Sequence, residues 1–393
     1  MTSSDIEKHP GLMIKIIADK NIPFLEGILE PFAHIRYLEP SLITQEAVKN
    51  ADALIIRTRT LCGEELLTGS SVRMIATATI GFDHIDTLFC RKQEIAWSNA
   101  PGCNAASVQQ YIASALFTLA AGHHFCLNDL TIGIVGVGHV GIKVEKLARI
   151  LGMKVMLNDP PRERAEDSGK FVSLHHLLAV ADIVTLHVPL YPAGRDKTFH
   201  LVDRAALDMM KPGAVLINTS RGEVVEPEAL KKAILSGRLK GTVLDVWENE
   251  PSPDPELLRL TSIATPHIAG YSSEGKAMGT AMAVRDLSRY FKFPLEEWFP
   301  EHLPPPLFPG ICIDTNRKTT EEIIAEAVLH SYRIMEDDTR LRSDPSSFEE
   351  QRKCYPLRRE FPAFSVKMKG YHGEAAEILQ KTGFVVEVSP PPD

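Results

Sequence analysis

The chain has 393 residues, 44% of them hydrophobic and 24% charged, and a formal net charge of -8. That length exceeds one ordinary core and predicts two or three domains of soluble globular composition. The acidic balance argues against a nucleic-acid partner and against a membrane surface. The six cysteines, Cys62, Cys90, Cys103, Cys126, Cys312 and Cys354, contain no CxxC pair. Neither a zinc knuckle nor a thioredoxin-like site is indicated, no metal is expected, and the thiols read as reduced cytosolic residues. Residues 1–12 are polar and lack the apolar run of a signal peptide. The longest apolar stretch, near 112–121, is too short to span a bilayer. The expected location is the cytoplasm.

In chain order, residues 14–18 read as a short apolar strand and 23–31 as a helical segment. Residues 53–56 and 73–76 read as buried strands, and 104–121 follow a helical pattern. Alternating strand and helix signals of this kind indicate a parallel sheet with crossover helices. A second alternation starts at Thr131. It predicts strands over 132–135, 154–157, 183–186, 214–217 and 241–244. Helices are expected between them at 140–151, 174–180, 204–209 and 227–236, the last opened by Pro227. This pattern defines a doubly wound dinucleotide domain. A long helix over 272–291 follows. The proline-rich run from Leu303 to Gly310 marks a linker. Beyond it a helix is expected over 321–337, a charged region to Arg359, and a strand–helix–strand unit near 364–388. The tail 390–393 is expected to be disordered.

Gly136-Val137-Gly138-His139-Val140-Gly141 carries the GxGxxG spacing. It directly follows an apolar strand and opens a helix, which is the context that gives the spacing meaning. Gly136 permits the tight turn, Gly138 leaves room for a pyrophosphate, and Gly141 lets helix and strand approach. The helix N-terminus offers free N–H groups and a partial positive charge to the phosphates. Asp159 ends the next strand, where an acidic residue binds ribose hydroxyls and repels a 2′-phosphate. NAD is therefore expected over NADP, with Arg162 and Arg164 nearby as the opposing signal.

Three side chains farther on make a chemical set. His267, in Thr265-Pro266-His267, is a candidate general acid/base near neutral pH. Glu248 and Glu250, in Asp245-Val246-Trp247-Glu248-Asn249-Glu250-Pro251, compete to orient its ring, and spacing alone does not choose between them. Arg221, in Asn218-Thr219-Ser220-Arg221-Gly222, follows a strand and is placed to grip a substrate carboxylate with two parallel hydrogen bonds. Together with a hydride carrier, these are the groups that oxidation of a 2-hydroxy acid needs.

These segments resemble the D-isomer-specific 2-hydroxyacid dehydrogenase superfamily. The similarity extends to Arg57-Thr58-Arg59-Thr60, to 77–84, to Ala100-Pro101-Gly102-Cys103-Asn104, and to the run from His267 to Lys276. It spans nearly everything from Met13 to Val388, and it is strongest to a branch that acts on a phosphorylated four-carbon acid. The resemblance assigns the ring-orienting role to Glu250, giving a catalytic set of Arg221, Glu250 and His267. It implies an α/β fold in three parts. These are a flavodoxin-like substrate domain (13–105 plus 268–295), a Rossmann-type doubly wound NAD domain (106–267), and a small α+β C-terminal dimerisation domain (303–389). Residues 1–12 and 390–393 would be flexible tails. It further implies substrate contacts from Thr58, Thr79 and Tyr271. Implied cofactor contacts are Gly136, Gly138, His139, Val140, Gly141, Asp159, Val188, Thr219, Ser220, Arg221, Asp245 and Gly270. The implied reaction is NAD-dependent oxidation of 4-phospho-D-erythronate in pyridoxal 5′-phosphate biosynthesis, by a homodimer. Arg57 or backbone N–H groups of the first domain are expected to hold the phosphate.

Two positions depart from the family's pattern. Lys20 stands where an acidic residue is usual, and Val188 replaces a threonine. Two other functions share the same motifs. One is a dehydrogenase for glycerate or 3-phosphoglycerate, and the other is a non-catalytic NAD-sensing binding protein.

Overall fold

The structure is a computed structural model that describes residues 13–370 and 372–388; the expectations for 1–12 and 390–393 lie outside the described residues. The chain divides into two compact units. One runs to Cys103 and takes in Glu274–Leu303; the other joins Asn104–Ser273 to the residues from Pro304 onward.

The first unit is a five-stranded sheet of β1 (Ile14–Asp19), β2 (Ala33–Leu38), β3 (Ala53–Ile56), β4 (Met74–Thr77) and β5 (Ala96–Ser98). All pairings are parallel, in the flavodoxin-type order β2-β1-β3-β4-β5. Strands β3 and β4 are buried at every position, which explains why both read as unbroken apolar runs. β2 alternates at the sheet edge and carries His34 and Arg36 among its apolar residues, so its strand signal is weak. Residues 23–31 form turns instead of a helix. Phe24 and Gly27 take left-handed φ values of 63° and 86°, which no helical ladder accommodates. Leu25 and Leu29 still reach the core from those turns, at 1% and 0% exposure, so their helix-like spacing served burial alone. The long helix Ser273–Phe291 adds Ala283, Val284 and Leu287 to the same core.

The second unit holds a six-stranded parallel sheet. Its strands are β6 (Thr131–Val135), β7 (Lys154–Asn158), β8 (Ile183–Leu186), β9 (Ala214–Asn218), β10 (Leu239–Leu244) and β11 (Ile263–Ala264). They lie in the order β11-β10-β9-β8-β6-β7. The order reverses at β6, so the crevice between the carboxyl ends of β6 and β8 is the switch point where open α/β sheets take ligands. Helix α1 (Ala105–His123) is buried on nearly all sides, from Ala105 to Ala120. It can be so because it lies between the sheet and the C-terminal residues: one continuous core joins Ile112 and Leu116 to Ile132, Ile134, Ile323, Val328 and Val366. His124, in the left-handed region at φ 54°, ends the helix.

The C-terminal residues add a second parallel sheet to this unit, β12 (Gly310–Asp314), β13 (Ser365–Lys369) and β14 (Val385–Val388). The helix expected over 321–337 is two helices, Thr320–Ser331 and Ile334–Ser343. The break falls at Tyr332, which is extended at φ -158°. Ser114 of α1 stabilises the break, donating to the Tyr332 carbonyl (2.9 Å) and accepting from the Ile334 N–H (3.2 Å). A short helix, Phe348–Lys353, lies within the charged region. No helix among the described residues is long and apolar enough to cross a membrane.

Candidate active site

The glycine-rich loop turns from β6 into helix α2 (His139–Ile150). Gly136 has φ 86°, and a Cβ there would stand 2.7 Å from the His187 carbonyl carbon and 2.8 Å from Val188 Cγ1. A Cβ on Gly141 would be 2.1 Å from the Gly136 carbonyl oxygen. These two glycines make the turn and the close packing. Gly138 differs: a Cβ there meets nothing within 4 Å. Open space before the N-terminus of a twelve-residue helix is what a pyrophosphate requires. His139 is exposed and Val140 half-buried beside it.

Asp159 caps the next helix. Its Oδ1 accepts from the Arg162 N–H (3.0 Å) and its Oδ2 from the Val137 N–H (2.8 Å), which ties the β7 end to the glycine loop. The Arg162 guanidinium donates to the Val137 carbonyl and to Glu166. Arg164 pairs with Asp196 at 2.5 Å. Both cations that opposed the NAD reading are thus engaged by protein acceptors. These features fit NAD: room for a pyrophosphate at Gly138 and a fixed carboxylate at the β7 terminus.

On the other side of the switch point, His187 links Thr185 to Thr219, with ring–hydroxyl distances of 3.0 and 3.2 Å. Desolvation pushes its imidazole down to about 3, so it is neutral at working pH. Val188 packs against the glycine loop, the kind of contact its apolar side chain allows.

Arg221 sits in a loop shaped by Asn218. The Asn218 Oδ1 accepts from the Ser220 N–H (3.0 Å) and hydroxyl (2.8 Å), and its Nδ2 donates to the Arg221 carbonyl (2.8 Å). The half-buried Arg221 guanidinium donates to the Ser220 carbonyl at 2.7 Å. Gly222 then passes against the neighbouring segment that leads to Glu250, where a Cβ would stand 1.9 Å from the Trp247 carbonyl carbon. The glycine after the arginine is therefore required so that the two loops can touch.

His267 and Glu250 meet directly, Nδ1 to Oε2 at 2.7 Å. The other Glu250 oxygen accepts from the Trp247 N–H (3.0 Å), and the Trp247 indole donates to the Thr265 carbonyl (2.9 Å). Burial alone would raise the Glu250 carboxyl; His267, the Trp247 N–H and Arg352 outweigh it and hold the group below the ordinary carboxylate range. Glu248 faces another histidine, His200, at 3.0 Å. Of the two glutamates left open by spacing, the one in contact with His267 is Glu250. His267 has φ 55°, uncommon for a residue with a β-carbon.

Asp245, 1% exposed, accepts from the Thr265 hydroxyl (2.6 Å) and from the N–H groups of Ile268 (2.8 Å) and Ala269 (2.9 Å). Burial raises its carboxyl above the usual range, against the opposing pull of His267 and of these donors. Its foremost visible role is to hold the segment that carries His267. Gly270 is close-packed, since a Cβ there would lie 2.0 Å from Asn104 Nδ2. Tyr271 is half-buried, with its ring edge-to-face against Tyr355 (5.7 Å, 89°) and Arg352 5.8 Å above it.

In the first unit, Thr58 and Thr79 each lie two residues past a strand end, β3 and β4. Thr58 is exposed. Thr79 shares a hydrogen bond with Thr77 (2.7 Å) and donates to the Gly81 carbonyl (3.0 Å). Arg57 donates to the Asn21 carbonyl at 3.4 Å. Lys20, the departure from the family pattern, pairs with Glu39 at 2.7 Å.

A Rossmann sheet with this loop, and with a Glu250–His267 pair drawn from beyond its fifth and sixth strands, defines an NAD-dependent 2-hydroxyacid oxidoreductase. Residues 107–269 match the family model described as the D-isomer specific 2-hydroxyacid dehydrogenase NAD binding domain, and 303–383 match a domain of unknown function. Among solved structures, the fold is similar to a D-lactate dehydrogenase from Aquifex aeolicus complexed with NAD and lactic acid. That likeness has a TM-score of 0.61 and 27% identity, and covers 74% of this chain and 100% of that one. Among curated sequences, an erythronate-4-phosphate dehydrogenase from Bacteroides fragilis is 49% identical over 354 residues, 90% of this chain and 99% of that protein. One from Porphyromonas gingivalis is 42% identical over 95% of this chain and 100% of its own length. The chain belongs to the erythronate-4-phosphate dehydrogenase family.

Proposed function

We propose that this chain oxidises 4-phospho-D-erythronate to 2-oxo-3-hydroxy-4-phosphobutanoate with NAD, a step in pyridoxal 5′-phosphate biosynthesis. The chemistry rests on one observation above the others, the 2.7 Å contact between His267 Nδ1 and Glu250 Oε2. With Nδ1 committed to the carboxylate, Nε2 is the nitrogen left to take the proton from the substrate hydroxyl. Glu250 stabilises the imidazolium that forms. Arg221 orients the substrate carboxylate, so that the reacting carbon is presented in one pose. NAD, when bound, supplies the acceptor for the substrate's hydride. In the reductive direction His267 returns the proton.

The cofactor set of this reading is Gly136, Gly138, His139, Val140, Gly141 and Asp159, completed by Val188, Thr219, Ser220, Arg221, Asp245 and Gly270. Thr58, Thr79 and Tyr271 offer hydroxyls to the polyol chain, and Arg57 is the cation assigned to its phosphate. Residues 13–105 with 268–295 form the substrate domain, 106–267 the NAD domain, and 303–389 the dimerisation domain. Exposed Leu307 (83%), Phe308 (66%) and Leu357 (50%) support a homodimer through that last region. The reading places the enzyme in the cytoplasm.

Turnover of the purified protein with NAD tests the proposal, using 4-phospho-D-erythronate, glycerate and 3-phosphoglycerate side by side. The expected result is a kcat/KM for the first at least about 100-fold above the others, the scale set by polar groups built for one substrate. Preference for either of the others rejects it.

A further inference from the structure

The two residues that follow His267 are held by both their N–H and their carbonyl groups. Their N–H groups meet Asp245, as described above. Their carbonyl oxygens meet Arg358, whose Nη1 donates to Ile268 (3.3 Å) and whose Nη2 donates to Ala269 (2.6 Å). Arg358 Nη2 also donates to the Ser107 carbonyl (2.9 Å) and to the Ser107 hydroxyl. Ser107 in turn donates to the Ala269 carbonyl (2.9 Å) and accepts from the Ser272 N–H (3.1 Å).

The neighbouring residues repeat the pattern. Ser273 N–H donates to the Arg358 carbonyl (2.9 Å), and the Ser272 hydroxyl donates to Glu360 (2.7 Å). Arg358 is 4% exposed, and its guanidinium stacks 4.3 Å from the centre of the Tyr332 ring. All these C-terminal residues lie within 303–383, the stretch that matches a domain of unknown function.

We propose that Arg358 is a positioning residue for the proton-transfer step, so that the C-terminal domain completes the active site in addition to any role in assembly. Two physical points carry this. A buried guanidinium is costly unless its partners repay the lost water, and an apolar residue would fill the same volume more cheaply. Two of the partners Arg358 has are the carbonyls that follow the catalytic histidine, and a third, Ser107, bonds one of those carbonyls itself. His267 also holds a left-handed backbone conformation, which persists in a residue with a β-carbon only where the surroundings over-determine it. Asp245 on the N–H side and Arg358 on the carbonyl side supply that constraint. Without Arg358 the carbonyl side of this constraint is weakened to the single Ser107 bond, and the His267 ring is held less firmly on its line to Glu250 and substrate.

This inference rests on His267 as the proton-transfer group, so His267→Asn is run beside the Arg358 variants. Arg358→Met and Arg358→Lys are purified as full-length enzyme. Rates are scaled to the folded fraction from circular dichroism. The expected result for both is a fall in kcat of about 10- to 100-fold, the scale of a misplaced catalytic group. KM for substrate should stay within about threefold, and the pH profile of kcat should shift. Guanidinium ion added to Arg358→Ala should restore part of the lost kcat. A folded Arg358→Lys or Arg358→Met enzyme with parental kcat and pH profile overturns the inference. Should none of these variants fold, Ser272→Ala, which removes the hydroxyl that donates to Glu360, carries the test. A several-fold loss of kcat supports the clamp, and parental kcat rejects it. If His267→Asn is itself as active as the parent, the functional reading fails, whatever Arg358 does.

Discussion

The glycine-rich loop and the segment that carries the His–Glu pair are built in opposite ways. Gly136–Gly141 works through backbone: what matters is what its glycines lack, and its turn is made where one strand passes into one helix. The segment from Asp245 to Ser273 works through side chains held by distant residues. Thr265 is tied to Tyr111 at 2.7 Å, Ala269 to Ser107, and Ser272 to Glu360. A site made of backbone can be written in six consecutive residues. A site that must hold an imidazole in an uncommon backbone conformation needs the rest of its unit to hold it there.

Substitutions that separate the two regions sharpen this contrast. The largest effect is expected at Glu250. Glu250→Gln removes the charge that fixes the His267 tautomer, and kcat should fall on the order of 10³-fold with little change in NADH affinity. The same variant carries a pH signature. The Glu250 carboxyl is held below its unfolded value, so its contribution to stability is full above the ordinary carboxylate range and is lost as pH falls through the depressed value. Melting curves of parent and variant should therefore converge as the pH is lowered from neutral to about 3. A gap that stays constant with pH rejects the ionised pair.

Arg221→Lys keeps the charge but loses the planar fork, and kcat/KM for the 2-hydroxy acid should drop about 10²-fold. An unchanged value would place substrate recognition elsewhere. On the cofactor side, Asp159→Asn should weaken NAD binding about tenfold, the worth of one charge-assisted hydrogen bond, while kcat at saturating NAD holds. Loss of kcat at saturation would show that the two regions are not separable there. The smallest effect is expected at Glu248, whose partner is His200. Glu248→Gln should change kcat by less than about threefold, as partly exposed ion pairs contribute little. A larger loss would reassign the ring-orienting role.

The same contrast decides what could be read from sequence. Strands buried on both faces, such as Ala53–Ile56 and Ala214–Asn218, were legible because their apolar runs are unbroken. So was the glycine loop, whose meaning is local. The edge strand Ala33–Leu38 was not, because exposed His34 and Arg36 interrupt its pattern. The apolar spacing over 23–31 misled because Leu25 and Leu29 are buried from turns as completely as from a helix. The split of the C-terminal helix at Tyr332 depends on Ser114, more than two hundred residues earlier. Within the site, His267 and Arg221 stood out by motif. Glu250 was separated from Glu248 by family resemblance, and independently by the distances. The grip of Asp245 and Arg358 on residues 268–269 left no local signal, since Arg358 is some 90 residues from the carbonyls it holds.

On the proposed function, the segment from Asp245 to Ser273 moves the proton while the glycine loop holds the cofactor. The most direct test is His267→Asn, with NADH affinity measured by fluorescence titration and hydride transfer measured in a single turnover with 4-phospho-D-erythronate. The account predicts NADH affinity within about threefold of the parent and a transfer rate lower by at least about 10²-fold, the usual worth of a general base. A parental transfer rate, or affinity and rate lost together, would contradict it.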